Sequence, residues 1–188
     1  MKIKDRKEEW VREETKKIYE DPWMRIRVDK VIRPNGVKGD YSVAEIKGGI
    51  GVVVLTEDKK IVVVGQYRYA PNVYSWEIPK GGFPTFNYSG LPLEWATEEL
   101  EEETGIIAKN WKELAMVHTL LGSTNDKVYL FLATDLTFGT PHPEKTETIR
   151  IQKVTIGEFY EMVKQGRITD STSITAVVLM EKLLNNKF

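Results

Sequence analysis

Leu93–Ile106 reads LEWATEELEEETGI, and five of the six residues from Glu98 to Glu103 are glutamate. On a helix advancing about 100° per residue, Glu99, Glu102 and Glu103 fall within one arc of roughly 100°. Leu93, Ala96 and Leu100 form the neighbouring apolar stripe, the face a core would cover. Glu94 and Glu101 point towards water, and Gly105 would stop the helix. Three carboxylates beside a buried stripe suit a hard divalent cation such as Mg²⁺, which takes one or two carboxylates and completes its shell with water and substrate phosphate. A solvated acidic face would show the same spacing, because like charges four residues apart cost only about a few tenths of a kcal/mol when exposed.

Working outward, Gly51–Leu55 and Ile61–Gly65 are near-continuous Val/Ile runs joined by Thr56–Lys60. They predict strands covered on both faces. Tyr74–Ile78 is a third strand, and Pro79–Leu91, with Gly81, Gly82 and Gly90, reads as a loop. Pro92 fits a first helical turn, with Ser89 as the expected cap. Beyond Gly105, Glu113–Leu121, Lys127–Ala133 and Thr148–Val154 read as strands, with Thr137–Thr146 a long polar loop. Gly157–Gln165 predicts a helix with Phe159 and Met162 inward, stopped by Gly166. Asp170 or Ser171 would cap a last helix with Ile174, Val177, Val178, Leu183 and Leu184 as its apolar stripe.

Towards the N-terminus, Met24, Ile26 and Val28 alternate with Arg25, Arg27 and Asp29, which marks a strand with one wet face. Asp21-Pro22 and Pro34-Asn35-Gly36 are turn signals on either side of it, and Tyr41–Ile46 returns. The order predicts an α+β fold: an α/β/α sandwich with a mixed sheet between helices, preceded by a small antiparallel β unit. The expected division is 1–48 for the N-terminal unit and 49–188 for the main domain. The smaller unit is too thin to hold itself folded, so it is expected to pack on the remainder or on a second subunit.

Composition excludes several chemistries. The chain of 188 residues is 41% apolar and 29% charged, an ordinary globular balance. Its net charge of −1 gives no basis for binding a long nucleic acid. Cysteine is absent, which removes disulfides, thiol nucleophiles and Cys-based zinc sites. His118 and His142 are too far apart to form a paired ligand motif. The opening MKIKDRKEEW is too charged for a signal peptide, and no run approaches the ~18 apolar residues of a membrane helix. A cytoplasmic protein without a membrane partner is the expectation.

Residues 81–106 resemble a Nudix box, G-x5-E-x7-R-E-U-x-E-E-x-G-U with U aliphatic, through Glu99, Leu100, Glu102, Glu103, Gly105 and Ile106. Gly65–Ala70 (GQYRYA), Ser75–Pro79 (SWEIP) and Pro92-Leu93-Glu94 extend the likeness to the ADP-ribose and nucleoside-diphosphate-sugar pyrophosphatase branch. The resemblance implies a Nudix fold and metal-dependent hydrolysis of a nucleotide sugar, giving a nucleoside monophosphate and a sugar phosphate. It implies Glu99, Glu102, Glu103 and the Lys80 carbonyl as ligands of two or three Mg²⁺ or Mn²⁺ ions. Glu103 is implied as catalytic too, and Glu147 or Glu144 as proton acceptor or accessory ligand. Arg68 is implied in phosphate or ribose binding, Trp23 in base stacking, Asp126 in holding ribose or base, and Glu77 in touching substrate. A homodimer formed through the N-terminal strands is expected.

Two positions depart from the box. Glu98 stands where the family has an arginine, and Gly90 precedes Leu91 where a glutamate is usual, in a longer loop. A like-charge pair at about 5–6 Å and an effective dielectric near 20 is worth on the order of 3 kcal/mol before relaxation and screening. These departures keep two other readings open: a catalytically weakened module that senses a nucleotide sugar, and a Nudix hydrolase of a dinucleotide or a capped RNA end.

Overall fold

In β4 (Gly49–Leu55) every residue is buried, which requires cover on both faces of its sheet. The computed structural model describes residues 9–142 and 148–185 and supplies that cover. Ile50, Val52 and Val54 pack with Ala96 and Leu100 of α1 (Pro92–Thr104). Val53 and Leu55 pack on the opposite side, with Phe159 and Met162 of α2 (Ile156–Lys164) and Ala176, Val177 and Met180 of α3 (Ser171–Asn185). The two-residue period of a strand thus divides one valine run between two cores. This is the α/β/α sandwich the element order predicts.

The main sheet runs β10 (Arg150–Thr155), β5 (Lys60–Arg68), β4, β9 (Val128–Phe138), β8 (Ile106–Val117). It is mixed, because β4 and β9 are parallel while β4–β5, β5–β10 and β8–β9 are antiparallel. Two short strands complete it: β6 (Val73–Glu77) on β5, and β7 (Lys80–Gly82) on the edge of β4. The N-terminal unit is a separate antiparallel sheet of β1 (Val11–Glu20), β2 (Met24–Ile32) and β3 (Lys38–Ile46). Buried Asp29 is held there by Thr15 Oγ1 at 2.8 Å and by Arg27, whose Nε also donates to Glu45 at 2.8 Å.

Several sequence expectations need correction. Ser89 does not cap α1; Leu91 occupies that position and makes no side-chain bond, while proline at the first helical position removes one donor in need of a cap. Leu93 is 40% exposed, and the buried stripe is Ala96, Leu100, Glu103 and Thr104. β8 begins at Ile106, straight after the left-handed Gly105, because Gly139 N donates to Gly105 O and pulls the chain onto the sheet edge. In α3 the expected stripe packs on the core through Ile174, Val177, Leu183 and Leu184, with Thr172, Ser173, Ala176 and Met180 buried beside it; only Val178 turns outward. Pro79–Leu91 is not all loop, since it contains β7.

Candidate active site

β7 crosses beneath the C-terminal half of α1, and the contact is made at glycine. A Cβ added to Gly81 would overlap the carboxyl of Glu99, so the bare backbone there makes room for that side chain. One turn on, buried Glu103 accepts a hydrogen bond from Lys80 N at 3.3 Å. Trp95 Nε1 donates to Gly82 O at 3.1 Å and ties the start of the helix to the same strand. Glu99, Glu102 and Glu103 therefore line one cleft of about 560 Å³, with Trp23, Lys47, Gln66, Arg68 and residues 80–84 around it.

Beside the carboxylates lies a cationic pair set by a buried acid. Arg68 grips Glu77 through two bonds, Nε–Oε1 at 3.0 Å and Nη2–Oε2 at 2.6 Å. Lys80 Nζ bridges Glu77 at 2.8 Å and Asp170 at 2.9 Å. Burial raises the Glu77 carboxyl, but the bonds and charges of Arg68 and Lys80 outweigh it and hold the group at about 2. Asp170 also accepts from Ser173 N at 2.8 Å, and Ser173 Oγ accepts from Ile78 N at 3.0 Å. The start of α3 is thereby joined to the strand-to-β7 segment that carries Lys80.

Arg68 and Lys80 also border a smaller recess of about 350 Å³, with Thr119, Asp126, Asp170 and Thr172. Asp126 is buried, and its oxygens accept from Thr119 Oγ1 at 2.6 Å and Thr124 Oγ1 at 2.5 Å. It pins the 118–126 loop and lines the recess at once. Glu77 is buried and lines neither recess; its carboxylate pairs with both Arg68 and Lys80. Trp23 is 75% exposed at the mouth of the cleft, with Lys47 Nζ 5.0 Å from its ring centroid. Glu98 is exposed on α1. Glu144 and Glu147 lie outside the described residues.

The Lys80 ammonium and Asp170 were invisible as a pair in the sequence, because ninety residues separate them and the capping pattern around Asp170 says nothing of a distant lysine. Lys47 and Trp95 were likewise missed as cleft residues.

The carboxylates can be tested as a divalent-ion site on their own geometry. All donors are oxygens, the ion type that suits Mg²⁺ and Mn²⁺. The Gly81 hollow, which a methyl group would fill, turns Glu99 to the side where Glu103 meets β7. Among the described residues, no three acidic or imidazole groups are yet drawn into a closed ligand set. The donor chemistry fits such an ion.

A family model described as the NUDIX domain matches residues 46–174. The chain belongs to the Nudix family. A second model, the nucleoside diphosphate sugar hydrolase N-terminal domain, matches residues 10–44 of this Nudix pyrophosphohydrolase. An ADP-ribose pyrophosphatase of Mycobacterium tuberculosis (strain ATCC 25618 / H37Rv) is 30% identical over 156 residues, covering 81% of this chain and 74% of that protein. A methanol dehydrogenase activator of Bacillus methanolicus is 28% identical over 169 residues, covering 89% and 90%. The crystal structure of an ADP compounds hydrolase superposes with a TM-score of 0.81 over 95% of each chain at 15% identity, a likeness of fold.

Proposed function

We propose that this Nudix hydrolase cleaves the pyrophosphate link of ADP-ribose or another nucleoside diphosphate sugar with Mg²⁺ or Mn²⁺, releasing a nucleoside monophosphate and a sugar phosphate. The observation that carries the reading is the meeting, in one cleft, of three carboxylates from a single helix with Arg68 and Lys80. A diphosphate needs both: cations to grip its oxygens and acidic oxygens to hold metal ions against it.

In this reading Glu99, Glu102, Glu103 and the Lys80 carbonyl hold the ions. When bound, two or three such ions supply charge screening at the diphosphate and an acidified water. Arg68 and Lys80 contribute direct contacts to phosphate oxygens, and Glu77 keeps both cations in place. Trp23 stacks on the base from its exposed position, Asp126 borders the recess for a ribose, and Glu147 or Glu144 takes up the proton of the attacking water. A homodimer built through residues 1–48 fits the same reading: β1 is exposed along its whole length, with Val11, Ile18 and Tyr19 among its exposed side chains. Light scattering on the purified chain gives twice the monomer mass if this holds.

Glu103→Gln tests the metal assignment. It keeps the side-chain volume and a hydrogen-bond acceptor for Lys80 N, so the fold survives by circular dichroism. We expect kcat for release of nucleoside monophosphate to fall by about two orders of magnitude or more, the scale of losing one key electrostatic group. Undiminished turnover would remove these carboxylates from the mechanism.

A further inference from the structure

Next to the acidic cleft, the loop 83–91 arches over a pocket of about 540 Å³. Phe83, Tyr88 and Tyr129 form its wall, and Lys47 and Lys127 line it as well. Lys47 and Phe83 line both pocket and cleft, so one extended ligand can occupy the two together. The wall is built in advance: Phe83 stacks on Tyr88 at 4.5 Å and meets Tyr129 at 6.2 Å, which leaves these rings committed to one another.

The position of the two lysines is fixed by backbone. Gly48 takes a left-handed φ of 73°, and a Cβ there would meet Lys127 O at 2.5 Å. Gly49 N donates to that carbonyl at 3.0 Å, and Ile46 N donates to Asn125 Oδ1 at 3.2 Å. These bonds clamp the end of β3 to the start of β9 and deliver Lys47 and Lys127 to the same pocket.

Charge decides what the pocket takes. No Asp or Glu lines it, and among the described residues neither lysine is in a salt bridge. Lys47 Nζ donates to Pro84 O at 2.9 Å and sits over Trp23. Asp21, the carboxylate whose charge Lys47 feels, accepts from Trp23 N, Met24 N and the Tyr19 hydroxyl and lies outside the pocket's lining. The hydroxyls of a neutral sugar seek acceptors as well as donors, whereas the charged side chains here are donors only. An anion beside an apolar wall is favoured by such counter-charges.

We propose that this pocket selects nucleotide sugars in which a group flanking the diphosphate carries an anionic substituent, a carboxylate or a phosphate. The inference rests on the nucleotide-sugar reading, which places the diphosphate in the adjoining cleft.

The test uses matched pairs that differ by one anion: UDP-glucose against UDP-glucuronate, and ADP-ribose against its 2′-phosphate. Binding to the full chain is measured by calorimetry in EDTA and in Ca²⁺, and turnover separately in Mg²⁺. The anionic member of one pair is expected to bind about tenfold tighter or better, and which pair responds separates carboxylate from phosphate. Lys127→Ala should bring that ratio close to unity while leaving the neutral member unchanged, and Lys127→Arg should restore it. Equal binding within both pairs, or a preference that survives Lys127→Ala, overturns the proposal. Turnover without anion preference leaves the hydrolase reading standing and removes this one. Anion preference without turnover in Mg²⁺ does the reverse, and no binding by any member removes both.

Discussion

Gly81 and Glu99 show how little separates this site from an ordinary acidic helix. A methyl at position 81 would collide with the flexible end of Glu99, which can swing aside at small cost to folding. Gly81→Ala is therefore expected to change stability by less than about 1 kcal/mol. It should still lower kcat about a hundredfold, the scale of a 1 Å misplacement of a working group. Urea melts and steady-state rates on the same variant separate the two effects. Glu98 carries the opposite lesson. From the sequence it is a repulsion on the order of 3 kcal/mol. In the structure it is exposed, where solvent and salt screen it. Glu98→Arg should thus alter kcat by no more than about fivefold, matching the ~1 kcal/mol ceiling of an exposed pair. A gain of a hundredfold would mean that the native box is impaired.

At the level of the helix, α1 does two jobs with adjacent stripes. Ala96 and Leu100 anchor it to β4 and its neighbours, and that anchoring sets the height of the glutamates above β7. Leu100→Ala removes a fully buried side chain, and a loss of about 2–5 kcal/mol in urea unfolding is expected. The 3.6-residue period made this helix and its acidic face readable from the sequence. Its capping was not readable, because Ser89 looks like a cap by type, yet the chain enters the helix through Leu91 and Pro92. β7 also escaped notice. Three residues including two glycines carry no strand signal of their own, and they become a strand through pairing with β4. The capping box of α2 went unread as well, though it is local: Thr155 Oγ1 accepts from Glu158 N at 3.1 Å and Thr155 N donates to Glu158 Oε2 at 2.7 Å, an exchange within one turn.

Across the whole molecule, the network of Glu77, Arg68, Lys80 and Asp170 ties β5, β6, β7 and the start of α3 into one unit. It makes stability depend on acid. Glu77 has an ordinary value of 4.5 and is held at about 2 in the folded chain. A depressed folded value gives stabilisation that is complete above the unfolded value and is lost as pH falls through the folded one. In metal-free protein, unfolding free energy should therefore decline between roughly pH 4.5 and pH 2, by an amount on the order of 3 kcal/mol from this group. Glu77→Gln should flatten that decline. It should also weaken the fold at pH 7, because two cations then lose their buried partner. Chemical melts across pH, with and without the substitution, check both.

Periodicity, composition and punctuation already determined the longer central strands, the three helices, the two-faced core and the helix that presents the glutamates. Those are matters of neighbouring residues, and neighbouring residues are what a sequence displays. Tertiary structure alone decided that Lys80 meets Asp170, that Glu77 pairs with both Arg68 and Lys80, and that Lys47 and Lys127 share a pocket. Each depends on partners brought together by strand order, and that order is set by how the sheet buries its two faces at once.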